Sequence, residues 1–234
     1  MTERTGKRKE DSRFLWLRIG AVVAIHAADI TWAAWYMYRL RDRGALISVS
    51  KAAEQPLALL GQNLAESLVP ALLFVLTLLL LKKEFPEAMY LRLRGKWQRV
   101  TALVLLALLA GLLAAALARG VKSYTALYAL GYYLVIIAFS EEFITRGLCA
   151  YLLREEDWPL RFLVPNVCFA LIHLFSYADW GAITPDYVLR FMANSLLGLT
   201  VHGCLLQLLK EKSGTIWLSV LLHAAMDYSI VLKF

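Results

Sequence analysis

Residues 100–118, VTALVLLALLAGLLAAALA, run for nineteen positions without a charge. A helix of roughly 20 apolar residues crosses a hydrocarbon core of about 30 Å. LVPALLFVLTLLLL (68–81) is nearly as apolar. Such runs cannot be solvated on a soluble domain, and they recur along the chain. Hydrophobic residues make up 60% of the sequence and charged residues 18%, against about 45–50% and about 25% in ordinary soluble domains. The pattern predicts an all-α polytopic membrane protein with about seven or eight transmembrane helices. Seven spans fall at about 19–38, 64–81, 100–118, 128–152, 160–177, 187–209 and 214–232. An eighth element, 45–63, reads as an amphipathic helix lying in the interface. The connectors are short and nothing repeats, so 1–234 is read as one membrane domain headed by a basic tail at 1–18.

The apolar segment after that tail is long and has no small-residue cleavage site, which predicts a retained span rather than a signal peptide. Loops on the side of the N-terminus hold fifteen Lys and Arg, those on the other side seven. The asymmetry predicts a cytosolic N-terminus, and a bacterial plasma (inner) membrane is the expected location. Topology thus accounts for the net charge of +7. No basic patch interleaved with aromatics marks a soluble face, so the expected partners are the lipid bilayer and a membrane-associated substrate, not nucleic acid. Cys149, Cys168 and Cys204 fall in spans without a C-x-x-C pair and read as small buried hydrophobes.

Ionisable side chains inside spans are costly, and function is their default reading. The last four spans hold Glu141, Glu142, Arg146, His173, Arg190, His202, His223 and Asp227, and the first adds His26 and Asp29. At about 1.5 Å per residue, Glu141 and His173 lie roughly 20 Å into their spans and His223 roughly 14 Å. All three therefore come near the middle of the bilayer. Residues four apart share a helix face. Glu142 and Arg146 are so spaced and predict an intrahelical ion pair, which turns Glu141 about 100° away and leaves it without that partner. His223 and Asp227 share a face, as do Phe169 and His173. A buried glutamate beside two histidines suits activation of water, with Glu141 as general base. The same three residues, Glu141, His173 and His223, are a possible set for a divalent metal such as zinc. The contiguous H-E-x-x-H helix is absent, so three helices would have to assemble that site.

EEFITR (141–146), FALIH (169–173) and HAAMD (223–227) occur in this order. Together they resemble the E-E-x-x-x-R, F-x-x-x-H and H-x-x-x-[N/D] motifs of the CAAX protease and bacteriocin-processing (CPBP, or ABI) family of intramembrane endopeptidases, over about 128–232. The resemblance implies a helical membrane fold and cleavage of a peptide bond near a substrate's C-terminus, the substrate being a prenylated CAAX tail in eukaryotic members. It implies that Glu141 and His173 activate the water, that His223 and Asp227 stabilise the oxyanion, and that Glu142 and Arg146 support the site. Metal-dependent and metal-free glutamate mechanisms are both compatible with it. Asn is usual where this chain has Asp227, and an ionised Asp cannot donate to an oxyanion. Asp227 would instead orient His223, be protonated, or mark a metal-using member.

Outside the motifs the expectations are plainer. His26 and His202 read as helix-packing hydrogen-bonders and Asp29 as a partner for His26. Arg190 would snorkel from a helix end. Trp32, Trp35, Trp180 and Trp217 read as belt residues, and Asn194 as a polar group at the site or a helix bridge. A proton-coupled transporter and an immunity or scaffold protein are the alternative functions.

Overall fold

The computed structural model describes residues 2–176 and 183–234. Every regular element among them is helical. The molecule is inverted relative to a soluble protein. Leu103, Val104, Leu79, Leu80 and Leu197 are exposed, while Glu142, Arg146, Asn166, Gln207, Lys210 and His223 are buried. Lipid on the outside is the environment in which that arrangement is stable.

Helix α1 covers Thr2–Asp42, and its Phe14–Asp42 portion is long and apolar enough to span. Helices α2 (Pro56–Glu66) and α3 (Leu68–Leu81) form a broken pair, bent by 58°. The cause is Pro70. It has no N–H to give the Glu66 carbonyl four residues back, and its ring crowds that carbonyl. Trp32 Nε1 on α1 donates to the neighbouring Ala65 carbonyl at 2.7 Å, so a side chain from another helix satisfies backbone at the break. A short helix α4 (Phe85–Ala88) leads to α5 (Lys96–Ala118), whose start is tied down by Gln98 Oε1 accepting from the Arg94 and Gly95 amides.

Helix α6 runs through Ser123–Leu152 without interruption, but Tyr132–Phe139 and Phe143–Cys149 are π-helical. Helix α7 is Trp158–Ser176, followed by the bent pair α8 (Pro185–Asn194) and α9 (Leu196–Ser213), at 45°. Helix α10 (Trp217–Tyr228) has only 12 residues, roughly 18 Å of rise. It is buried along most of its length against α5 and α6, with Leu218, Val220, Ala224 and Tyr228 in the core.

Seven spans and an eighth interfacial element were expected. The described residues hold four helices able to cross a membrane, or up to six if each bent pair is one span. Of the expected interfacial helix at 45–63, only residues 56–63 are α-helical and they form the first arm of a broken span, while 45–55 hold a connector with one short 3-10 turn. The expected span at 214–232 is a short helix inside the bundle. Hydropathy reports how apolar a segment is. It does not report where the segment bends or what covers it.

Two of the tryptophans expected in the belt do other work: Trp32 joins α1 to α2, and Trp217 Nε1 donates to the Leu91 carbonyl at 2.8 Å. Trp180 lies outside the described residues. Arg190 pairs with Asp186 at an exposed helix surface.

Candidate active site

The π-helical turns of α6 bracket the single α-turn Ser140–Glu142. π-bulges recur at functional sites because they re-aim side chains relative to the regular helix. Here the turn sends both of its glutamates toward α10. Arg146, fully buried, organises the centre: Nη1 donates to Glu142 Oε1 at 3.0 Å, and Nη2 donates to Asn166 Oδ1 on α7 and to the Gly203 carbonyl on α9, each at 2.9 Å. Its guanidinium also lies 4.6 Å from the centre of the Phe169 ring. A buried cation is tolerable only when so paired and bonded. One side chain thus joins α6, α7 and α9.

Gly203 permits the approach. A Cβ there would stand 2.7 Å from Asn166 Oδ1 and 3.1 Å from Arg146 Nη2. Asn166 cannot swing aside easily, because its Nδ2 donates to the Phe162 carbonyl at 2.6 Å. Gly203→Ala should therefore destabilise the protein by about 1–3 kcal/mol, read as a lower midpoint in denaturation of the protein in detergent micelles. An unchanged midpoint would show that the Arg146 seat is looser than described.

His223 is the second hub. Its Nδ1 donates to Glu142 Oε1 at 3.0 Å, while Nε2 faces Asp227 Oδ2 at 3.4 Å and Glu141 Oε2 at 3.7 Å. Both ring nitrogens thus look at carboxylates. Glu142 is fully buried, whereas the Glu141 side chain keeps 23% of its surface accessible. The Phe169 ring packs edge-on against both His173 (4.8 Å between centroids) and His223 (6.2 Å). His173 Nδ1 donates to the Phe169 carbonyl at 2.8 Å, which fixes the ring on α7 and directs Nε2 away from its own helix backbone.

The Glu142–Arg146 ion pair forms as its spacing predicts. Glu141 stays off Arg146, as that spacing implies, but Glu142 is not confined to the ion pair. Glu142 Oε1 serves Arg146 and His223 together, and Glu141 reaches the same imidazole from its other nitrogen. Asn194 stays out of the cluster: it is exposed at the end of α8, and no hydrogen bond joins it to these residues. His26 packs as expected, with Nδ1 donating to the Val22 carbonyl and Nε2 3.5 Å from Thr145 Oγ1. Asp29 does not pair with it.

Two members of the cluster escape sequence reasoning, and a third, His202, reads there only as a packing residue. His202 stacks edge-on to His223 at 5.7 Å, Asn166 receives Arg146, and Gly203 makes room. His202 showed as an ionisable residue within a span, and Asn166 left a signal too, since Asn166, Phe169 and His173 follow an i, i+3, i+7 pattern and share one helix face. His202 and Gly203 come from a helix without a motif.

Glu141, His173 and His223 do not fit the expected metal set in this arrangement. Among the described residues no three His, Cys, Asp or Glu side chains are grouped as ligands of one ion.

A buried cluster of glutamate and histidine at the meeting of four apolar helices is the kind of site a hydrolase built within the membrane requires. Residues 123–229 match the family model of the type II CAAX prenyl endopeptidases (Rce1-like), a stretch that opens with α6 and closes just after α10. That segment, a little under half of the chain, is similar to the CAAX protease family, and the similarity indicates a membrane peptidase. No curated protein and no solved structure matches the chain.

Proposed function

We propose that the protein is an intramembrane endopeptidase that hydrolyses a peptide bond near the C-terminus of a membrane-associated protein or peptide, with a prenylated CAAX-type tail as one candidate substrate. The observation that carries this reading is His223 held between Glu142 on one nitrogen and Glu141 and Asp227 on the other. Glu141, the more accessible glutamate, takes a proton from water as the oxygen attacks the scissile carbonyl carbon. His173 holds that water from the adjoining helix. His223, oriented by Glu142, donates from Nε2 to the developing oxyanion. Asp227 steadies the imidazole from the same side, a role that suits a carboxylate better than donation to the oxyanion would. Collapse of the tetrahedral intermediate breaks the C–N bond, and Glu141 returns its proton to the leaving nitrogen. Phe169 and Arg146 keep the histidines and Glu142 in register. The distribution of Lys and Arg supports a cytosolic N-terminus, and a bacterial inner membrane is the location that goes with this reading.

The purified protein in lipid nanodiscs, given a membrane-tethered peptide, should yield two fragments. In heavy-oxygen water one labelled oxygen should enter the new carboxylate. His223→Ala should lower kcat by about 10²–10³. Substrate disappearance without a labelled fragment, or fragments that persist in Glu141→Ala, would overturn the proposal. Metal content of the active preparation, with its response to chelators, addresses metal dependence separately.

A further inference from the structure

Behind Glu141, outside the matched segment, α1 and the α2–α3 break bring two more carboxylates together. Asp29 of α1, Glu66 and Ser67 at the break, and Ser140 and Glu141 of α6 line a cavity of about 70 Å³. This is well above the roughly 10–15 Å³ that one water molecule needs. Glu66 and Glu141 each carry a carboxylate oxygen, Oε2, that is buried and has no hydrogen-bond partner. Buried polar atoms are almost always satisfied by protein or by ordered water, and a cavity of this size, with three carboxylates set among Ala33, Pro70, Ile136 and Ile137, has room for the second. The neighbouring cleft, which shares Ser67 and Ser140 with it, is walled instead by Leu64, Phe74, Val135, Phe139 and Phe143. The carboxylates are thus concentrated in the smaller space, the one that Glu141 lines.

We propose that Asp29 and Glu66 are positioning residues of the hydrolysis: with Glu141 they hold water in this cavity and supply it to the base in a setting from which lipid excludes water. The inference rests on Glu141 being the base. The Pro70 break is part of the device, since it ends α2 at Glu66 and so leaves that side chain at the cavity.

Leucine removes the hydrogen-bonding groups, whereas the amides keep them. In nanodiscs, Asp29→Leu and Glu66→Leu should lower kcat tenfold or more while KM stays within about twofold, and Asp29→Asn and Glu66→Gln should keep most of the wild-type kcat. Ala33 lines the same cavity without contributing a polar group. Ala33→Leu, or Ala33→Val where the larger residue or the other leucine variants fail to fold, should fill the space and reproduce the loss of kcat. Wild-type kcat in the filled variant overturns the proposal, as does equal inactivity of the amide and leucine variants. Thermal unfolding gives a readout independent of activity. Filling a dry cavity raises Tm, whereas displacing water from the Glu66 and Glu141 oxygens does not, so a raised Tm in the filled variant also overturns it. If the wild-type protein shows no Glu141-dependent cleavage, the endopeptidase reading fails, and the Tm comparison still decides whether this cavity is hydrated.

Discussion

Glutamine in place of Glu141 should reduce kcat by about 10²–10⁴, the range that a positioned general base contributes, without a comparable loss of stability. The separation follows from which carboxylate holds the structure together. Arg146 bonds to Glu142, Asn166 and Gly203 and not to Glu141, so an amide at 141 removes a base of nearly the same shape and leaves the buried cation seated. Among the described residues Glu141 has one ion-pair partner, His223 Nε2 at 3.7 Å, which also has Asp227. Single-turnover cleavage of a tethered peptide, paired with a thermal melt, measures both quantities. A loss smaller than tenfold in a folded Glu141→Gln protein would remove Glu141 from the base role. Glu142→Gln should behave differently, because its Oε1 accepts from Arg146 and His223 together. There activity and stability should fall together.

Arg146→Met should destabilise the protein by about 3–5 kcal/mol, the usual cost of removing one partner of a buried ion pair. The partner left behind is the Glu142 carboxylate, fully buried and with one oxygen already lacking a hydrogen bond. Asn166 Oδ1 and the Gly203 carbonyl lose their donor as well, and Phe169 loses its cation. Much of this cost is the penalty of an uncompensated charge rather than the worth of the pair. The Glu142→Gln/Arg146→Met double variant should therefore be more stable than Arg146→Met alone. Denaturation of the four proteins in one detergent closes the cycle. Strict additivity would show that the two side chains do not act as a unit.

What the chain determined by itself is local or compositional. Runs such as 100–118 require lipid, and spacing of four along a helix brings Glu142 to Arg146 and places His223 and Asp227 on one face. These relations need no knowledge of any other helix. The tertiary structure decided the remainder, because helical periodicity carries no information about distances between helices and drifts out of phase where the backbone becomes π-helical. It alone turned Glu142 from a partner of Arg146 into a ligand of His223 as well, and brought His202 and Gly203 from a helix without a motif. It alone joined Asp29 to Glu66 and Glu141 across three elements. Pro70 breaks the segment read as one span at 64–81, and where the broken pair carries Glu66 depended on what packs around it. A charge buried in lipid must find its partners wherever packing puts them, so the chain could announce Glu141, Glu142 and Arg146 as costly but only the assembled bundle could show what they bind.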